Sequence, residues 1–169
     1  IWRWRDIHNN KESMSCYIKK VSTVSPIGDL GENLNLNTFA ANNFNAVEPD
    51  YKEVIANANL RRRMNRMLKM GTYAAMKCLA DTDVDMMLTA TSLGSISDTE
   101  KLLDPIYSSG ETLGNPTAFI QSTFNTLAGN IAQLKSTHIP NVTLVNRGET
   151  VANALGYAQV KLSCDADNI

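Results

Sequence analysis

The sequence predicts an α/β domain, a largely parallel sheet covered by helices. Short β-branched or apolar runs alternate with longer stretches of three- and four-residue apolar spacing. Turn residues separate the two kinds of segment, and their order is strand, helices, strand, helix, helix, strand, helix. At 169 residues the chain suffices for one domain with a proper core but not comfortably two. We expect residues 1–15 to be an N-terminal extension, partly disordered, and residues 16–169 to be the domain.

Taken in order, Tyr17 to Ser25 is β-branched and alternating, the pattern of a strand, and Ser25-Pro26-Ile27-Gly28 stops it. Asp29 to Asp50 is rich in Asn and without periodicity, which predicts a long surface loop and the most mobile part of the chain. Helix is expected over Tyr51–Leu68 and Gly71–Ala80, with Met64, Met67, Leu68, Ala75, Cys78 and Leu79 on one apolar face. Asp85 to Thr91 is a short apolar run, hence a buried strand. Ser97-Asp98-Thr99-Glu100 has the spacing of a capping box and predicts a helix to about Tyr107. Pro116 suits a first helical turn, where its missing N–H would have no partner. Ile120, Phe124, Leu127, Ile131 and Leu134 then lie 4, 3, 4 and 3 apart, a buried stripe on a single helix. Val142 and Leu144 alternate on a short strand. Glu149 to Leu162 is helical, with Val151, Ala154, Leu155, Ala158 and Leu162 on one side.

Composition narrows the function. Apolar content of 43% and charged content of 20% are ordinary for a globular protein. A net charge of −1 argues against a dedicated nucleic-acid binder. No run is apolar for long enough to cross a bilayer, and the start, Ile1 to Asp6, lacks the apolar core of a signal peptide. Cys16, Cys78 and Cys164 are far apart and odd in number, which suits reduced thiols in the cytoplasm. With His8 and His138 isolated, no metal site is expected, nor any cofactor. His138 reads as a surface histidine between a helix and a strand.

Several motifs together resemble one family. Val21 to Gly28 is similar to a V-x-x-x-x-x-S-P-x-G strand and turn. Arg62-Arg63-Met64-Asn65-Arg66 with Ala74 to Ala80 resembles an R-[RK]-M-x-R helix and its continuation. Thr91-Ser92-Leu93-Gly94-Ser95 stands where a Gly-rich turn follows the second strand, with fewer glycines. From Asn115 the chain lies without a gap on S-P-x-F-x-x-x-x-x-x-N-x-x-A-G, a spacer and G-P-S-x-S-x-x-T-A-C. These are patterns of the β-ketoacyl synthases. The resemblance implies the thiolase-like N-terminal half, a mostly parallel sheet flanked by helices. In style it is nearest to short synthase-like proteins and chain-length-factor-like subunits of bacterial polyene and pigment pathways.

The departures from the pattern shape the functional expectation. The resemblance places the nucleophilic cysteine at Gly148, within Asn146-Arg147-Gly148 where the family has T-A-C. Glycine has no side chain to acylate, Glu149 makes a poor thioester acceptor, and Thr150 has no base in view. The family's catalytic histidines belong to a C-terminal half beyond this chain. Gly148 either keeps a tight turn for the fold alone, or Asn146, Arg147 and Glu149 line or plug a remnant pocket. Asn125 reads as a buried structural amide, and Gln121 and Ser122 beside it face an acyl chain or a partner. Arg61, Arg62, Arg63, Arg66 and Lys69 are either a solvated helix face or, for Arg62, Arg63 and Arg66, the positions facing an acidic acyl carrier protein.

The expected function is a catalytically silent partner subunit, chain-length-factor-like, in fatty acid or polyketide-type biosynthesis. Its partner would be an active β-ketoacyl synthase or a second copy, docked on the Asn141–Val145 edge and the Pro116–Leu134 helix. Two alternatives stand beside it: part of a split synthase completed by another chain, and a module that holds an acyl carrier protein.

Overall fold

The computed structural model describes residues 17–29, 45–110 and 114–166. The expected extension over 1–15, Cys16 and most of the Asn-rich loop lie outside them. The described flanks of that loop, Asp29 and residues 45–50, are irregular as expected.

Asp50 opens the helical part. Its carboxylate accepts from the Lys52 amide and starts a 3-10 turn over Tyr51–Glu53. Helix α1, Ala58–Arg63, follows its cap Asn57, whose side chain accepts from the amides of Asn59 and Leu60. Met64 then turns extended, and Asn65 caps α2, Arg66–Leu79, by accepting from the Leu68 amide. The sequence predicted helix through this point and a gap before Gly71. The break instead falls at Met64–Asn65, because an Asn that caps a new helix outweighs the run of helix-forming residues around it.

Strand β1, Met87–Thr91, leads into α3, Ile96–Ser108. The expected capping box is displaced. Ser95 holds the cap position, and its hydroxyl donates to the Asp98 carboxylate at 2.8 Å rather than accepting from an amide. Asn65 Nδ2 donates to the same Asp98 oxygen at 2.7 Å and to Ser95 Oγ at 2.8 Å. Lys101 adds an ion pair to Asp98 at 3.1 Å. Asp98 is buried at 4% exposure, so these partners offset the cost of taking its charge from water. They also tie the starts of α2 and α3 together.

The helix expected from Pro116 to Leu134 is two helices. Helix α4 covers Pro116–Ser122, and α5 covers Thr126–Lys135. Thr126 causes the break: its hydroxyl donates to the Ile120 carbonyl at 2.7 Å and meets Thr123 Oγ1 at 2.8 Å. A threonine that claims an upstream carbonyl competes with the helical amide ladder. The change of axis divides the predicted stripe. Ile131 is buried at 2% and Leu127 and Leu134 are half-buried, whereas Ile120 and Phe124 are exposed at 61% and 57%.

Strand β2, Asn141–Val145, pairs parallel with β1 from Met87↔Asn141 to Thr91↔Val145. Among the described residues this is the whole sheet. A 3-10 turn over Arg147–Glu149 enters α6, Thr150–Ala166, which packs across β1 and β2. Tyr17–Ser25 is not a strand. It is irregular, with Tyr17 and Ile18 exposed, and is held by Lys20 Nζ donating to the Lys77 carbonyl at 2.8 Å. Lying against a helix end, this β-branched run has no neighbouring strand among the described residues, so its pattern alone does not make it one.

The core sits between α1, α2 and α5. Ile55, Met64 and Leu68 are buried there, with Tyr51, Val54, Leu60, Leu127 and Leu134 against them. Gly71 lets α5 approach, since a Cβ on it would meet Leu127 at 3.0 Å.

Candidate functional site

The carboxyl ends of two parallel strands meet in one place, the position where open α/β sheets bind ligands. After β1 the chain turns through Thr91–Ser95. Gly94 holds φ +67, and its amide donates to Thr91 Oγ1 at 3.1 Å. After β2 it turns through Asn146–Glu149. The Arg147 amide donates to the Ser92 carbonyl at 3.1 Å and joins the two turns.

Thr150 fixes the second turn. It is 2% exposed, and its hydroxyl accepts from the Asn146 amide at 2.9 Å. The hydroxyl proton faces the carbonyls of Arg147 at 2.9 Å and Thr91 at 3.3 Å. Thr150 thus closes the turn onto both strands. Sequence reading weighed this residue only as a nucleophile. Its four-residue offset from Asn146, at the first position of α6, was the available signal for a hydroxyl capping role.

The turn itself is open. Asn146, Arg147, Gly148 and Glu149 are all exposed. The left-handed backbone falls on Arg147, with φ 41, and not on Gly148. A Cβ built on Gly148 meets nothing within 4 Å. The idea that Gly148 keeps a tight turn for the fold alone therefore finds no geometric need: the strained residue is its neighbour, and position 148 has room for a side chain.

The remaining predicted residues are distributed. Gln121 is buried on α4 with Oε1 lacking a partner, and it lines a groove with Arg63, Lys101 and Asp104. Ser122 ends α4, its hydroxyl donating to the Phe119 carbonyl at 2.8 Å. Asn125 is exposed, not a buried amide, because it occupies the cap position at the α4–α5 break. His138 is exposed before β2, as expected.

The arginine cluster is divided by the Met64–Asn65 break. Arg62 and Arg63 end α1, whereas Arg66 begins α2. Arg66 is paired with Glu48, and that hydrogen bond, aided by one from Tyr51, holds the Glu48 carboxyl below its usual range. Burial, with the Glu48 hydrogen bond second, pushes the Tyr51 phenol up to about 12.

Beside the first turn lies a cavity of about 560 Å³ between α2 and the sheet. Met67, Met70 and Leu127 supply apolar wall, and Thr89 and Thr143 face it from the two strands. Their hydroxyls meet at 2.6 Å, so most of their polarity is spent on each other. Phe124 borders it and packs on Gly94, where an added Cβ would lie 2.4 Å from the ring. None of the predicted pocket residues lines this cavity.

A parallel strand pair, an outer helical layer and a strained turn entering a helix across the sheet define the class of protein. The beta-ketoacyl synthase, N-terminal domain family matches residues 38–169, and the chain belongs to that family. Its fold is similar to a solved chain of the ketosynthase ApeO in complex with its chain length factor ApeC, from Xenorhabdus doucetiae. The TM-score is 0.58 at 15% identity, over 63% of this chain and 44% of the other. The chain thus spans less than half the length of that structure. No curated protein matches it in sequence. No helix among the described residues is long and apolar enough to cross a membrane.

Proposed function

We propose that this chain is a catalytically silent, ketosynthase-like partner subunit, chain-length-factor-like in role. The observation that carries the reading is the turn after β2. Asn146, Arg147, Gly148 and Glu149 offer no thiol or hydroxyl, and the hydroxyl that follows them, on Thr150, is buried and engaged. Condensation by a thioester intermediate needs an accessible nucleophile with a base or depressed pKa. Family membership and the ketosynthase–chain length factor complex among its structural neighbours support a ketosynthase as the partner.

The partner would dock on the edge of β2 that has no strand neighbour among the described residues, and on the α4–α5 surface. Phe119, Ile120 and Phe124 are exposed there, and Val145 is 36% exposed at the end of the strand. An unpaired strand edge beside apolar side chains is a surface that association stabilises. Arg62, Arg63 and Arg66 are retained as the candidate contacts to an acyl carrier protein.

The test is co-purification with a complete, cysteine-bearing synthase encoded beside it, followed by light scattering. A stable complex is expected, with condensation abolished by removing the partner's cysteine and unaffected by Arg147→Ala or Glu149→Ala. Absence of both self-association and partner binding would refute the proposal. Loss of turnover in Arg147→Ala with the complex intact would replace it by the split-site reading.

A further inference from the structure

Each polar side chain among the described residues bordering the cavity between α2 and the sheet already has a partner within the chain. Thr89 and Thr143 meet at 2.6 Å, Thr91 Oγ1 accepts from the Gly94 amide at 3.1 Å, and Thr123 Oγ1 donates to the Ile120 carbonyl at 3.0 Å. Asn65 Oδ1 accepts from the Leu68 amide at 2.7 Å, and its Nδ2 donates to Ser95, Ser97 and Asp98. Arg66 is paired with Glu48. Met67, Leu68, Met70, Phe124 and Leu127 supply apolar wall. A ligand with charge or hydrogen-bonding groups would give up water and compete with these bonds for replacements. An uncharged hydrocarbon gives up nothing and removes apolar surface from water.

The dimensions narrow the class. The cavity holds about 560 Å³, within the range of small-molecule sites. Its α2 wall runs from Asn65 to Gly71, about 9 Å along the helix axis. Its β1 wall runs from Thr89 to Thr91, about 7 Å along the strand. The volume then leaves a third dimension of similar size, so the space suits a compact ligand better than an extended chain. The thioethers of Met67 and Met70 and the ring of Phe124 favour an aromatic one, through sulfur–aromatic and edge-to-face contacts.

We propose that this cavity binds a compact, uncharged aromatic molecule of about the size of naphthalene. The site is independent of the partner-subunit reading, since none of Asn146–Glu149 lines it.

Titration with naphthalene, followed through isotope-labelled methionine methyl signals, tests it. Saturable shifts are expected at Met67 and Met70, from the ring current of the bound probe, with Met76 outside the lining unmoved. Met70→Trp, read at Met67, should weaken binding by about tenfold or more, because the indole takes the ligand's space. Met67→Trp, read at Met70, repeats the measurement if circular dichroism shows the first variant unfolded. Leu103→Ser removes an exposed apolar side chain on α3 and should leave the affinity unchanged. Dodecanol, the chain-shaped probe, should bind about tenfold more weakly than naphthalene or worse. No saturable shift at Met67 and Met70, parental affinity in the tryptophan variants, or dodecanol binding as tightly as naphthalene would overturn the proposal.

Discussion

Replacing Thr150 by Val tests the account of the turn most directly. Valine keeps the shape of threonine and removes the hydroxyl. That hydroxyl accepts one bond, from Asn146, and has one proton to give, best placed for Arg147. The Thr91 carbonyl, at 3.3 Å, is the weaker of two competing acceptors and adds little. Two bonds at about 0.5–1.5 kcal/mol each set the expected loss near 2 kcal/mol. The side chain is 2% exposed, so water cannot replace the lost oxygen without rearranging the turn. For a chain of this size that loss lowers Tm by about 4–8 °C. Urea unfolding of Thr150→Val and Thr150→Ser, followed by circular dichroism, measures it. Serine keeps both bonds and should cost less than about 1 kcal/mol, the transfer value of one methyl group. If Val and Ser are equally stable, the hydroxyl does not hold the turn and the reasoning is wrong.

Four further outcomes follow from the structure. Gly148→Ala should leave stability within about 0.5 kcal/mol, whereas Gly94→Ala should cost about 1–3 kcal/mol, because only the latter combines a positive φ with a clash against Phe124; thermal melts of the pair decide it. Tyr51 should ionise near pH 12, so the stability its retained proton supplies is present below pH 10 and lost as pH rises through 12; the Tyr51→Phe difference in a 295 nm titration reads this. The Glu48–Arg66 pair acts in the opposite sense, contributing above the usual carboxylate range and fading as pH falls through the lowered value, an acid limb that Glu48→Gln should flatten. Leu68→Ala, at 1% exposure in the core, should cost about 2–5 kcal/mol by denaturant unfolding.

Much of the architecture was legible because it rests on patterns that single segments carry. The apolar runs at Met87–Thr91 and Asn141–Val145 became the two strands, and their parallel pairing followed from the helices between them. The errors share one cause, side-chain competition for backbone groups. Asn65 claims an amide and Thr126 a carbonyl, while Ser95 opens α3 with its hydroxyl spent on Asp98; each moves a helix boundary, an effect that apolar periodicity does not record. Tyr17–Ser25 failed for a complementary reason, since a strand exists only with a neighbour. At the site, the turn after β2 was found through resemblance to a family. Which of its residues takes the strained backbone was not readable, because glycine at 148 invited that role and Arg147 fills it.

Helix α6 carries the argument about partners one step further. Ala154 and Ala158 are half-buried toward the sheet, as small residues on a packed face should be. Val151, Leu155 and Leu162, which lie on the neighbouring stripe, are 67%, 65% and 54% exposed, and Val160 on another side is 64% exposed. A surface helix has one apolar stripe and an opposite charged face, while a helix that is apolar around most of its circumference belongs in an interior. The apolar side predicted for α6 is therefore split between half-buried alanines and exposed larger side chains. Ile120 and Phe124, expected in a buried stripe, are likewise exposed. Exposed apolar side chains at two places are the kind of surface that the proposed partner would cover. One lies on α6, which packs across the sheet, and the other on α4 and the α4–α5 junction. A partner that covers only the β2 edge should therefore leave α6 reactive: in a complex, Val160→Cys should still label with a soluble maleimide while Phe119→Cys becomes protected. Protection at both positions would show that a single partner wraps both surfaces, and labelling at both would remove the β2 edge as the docking site.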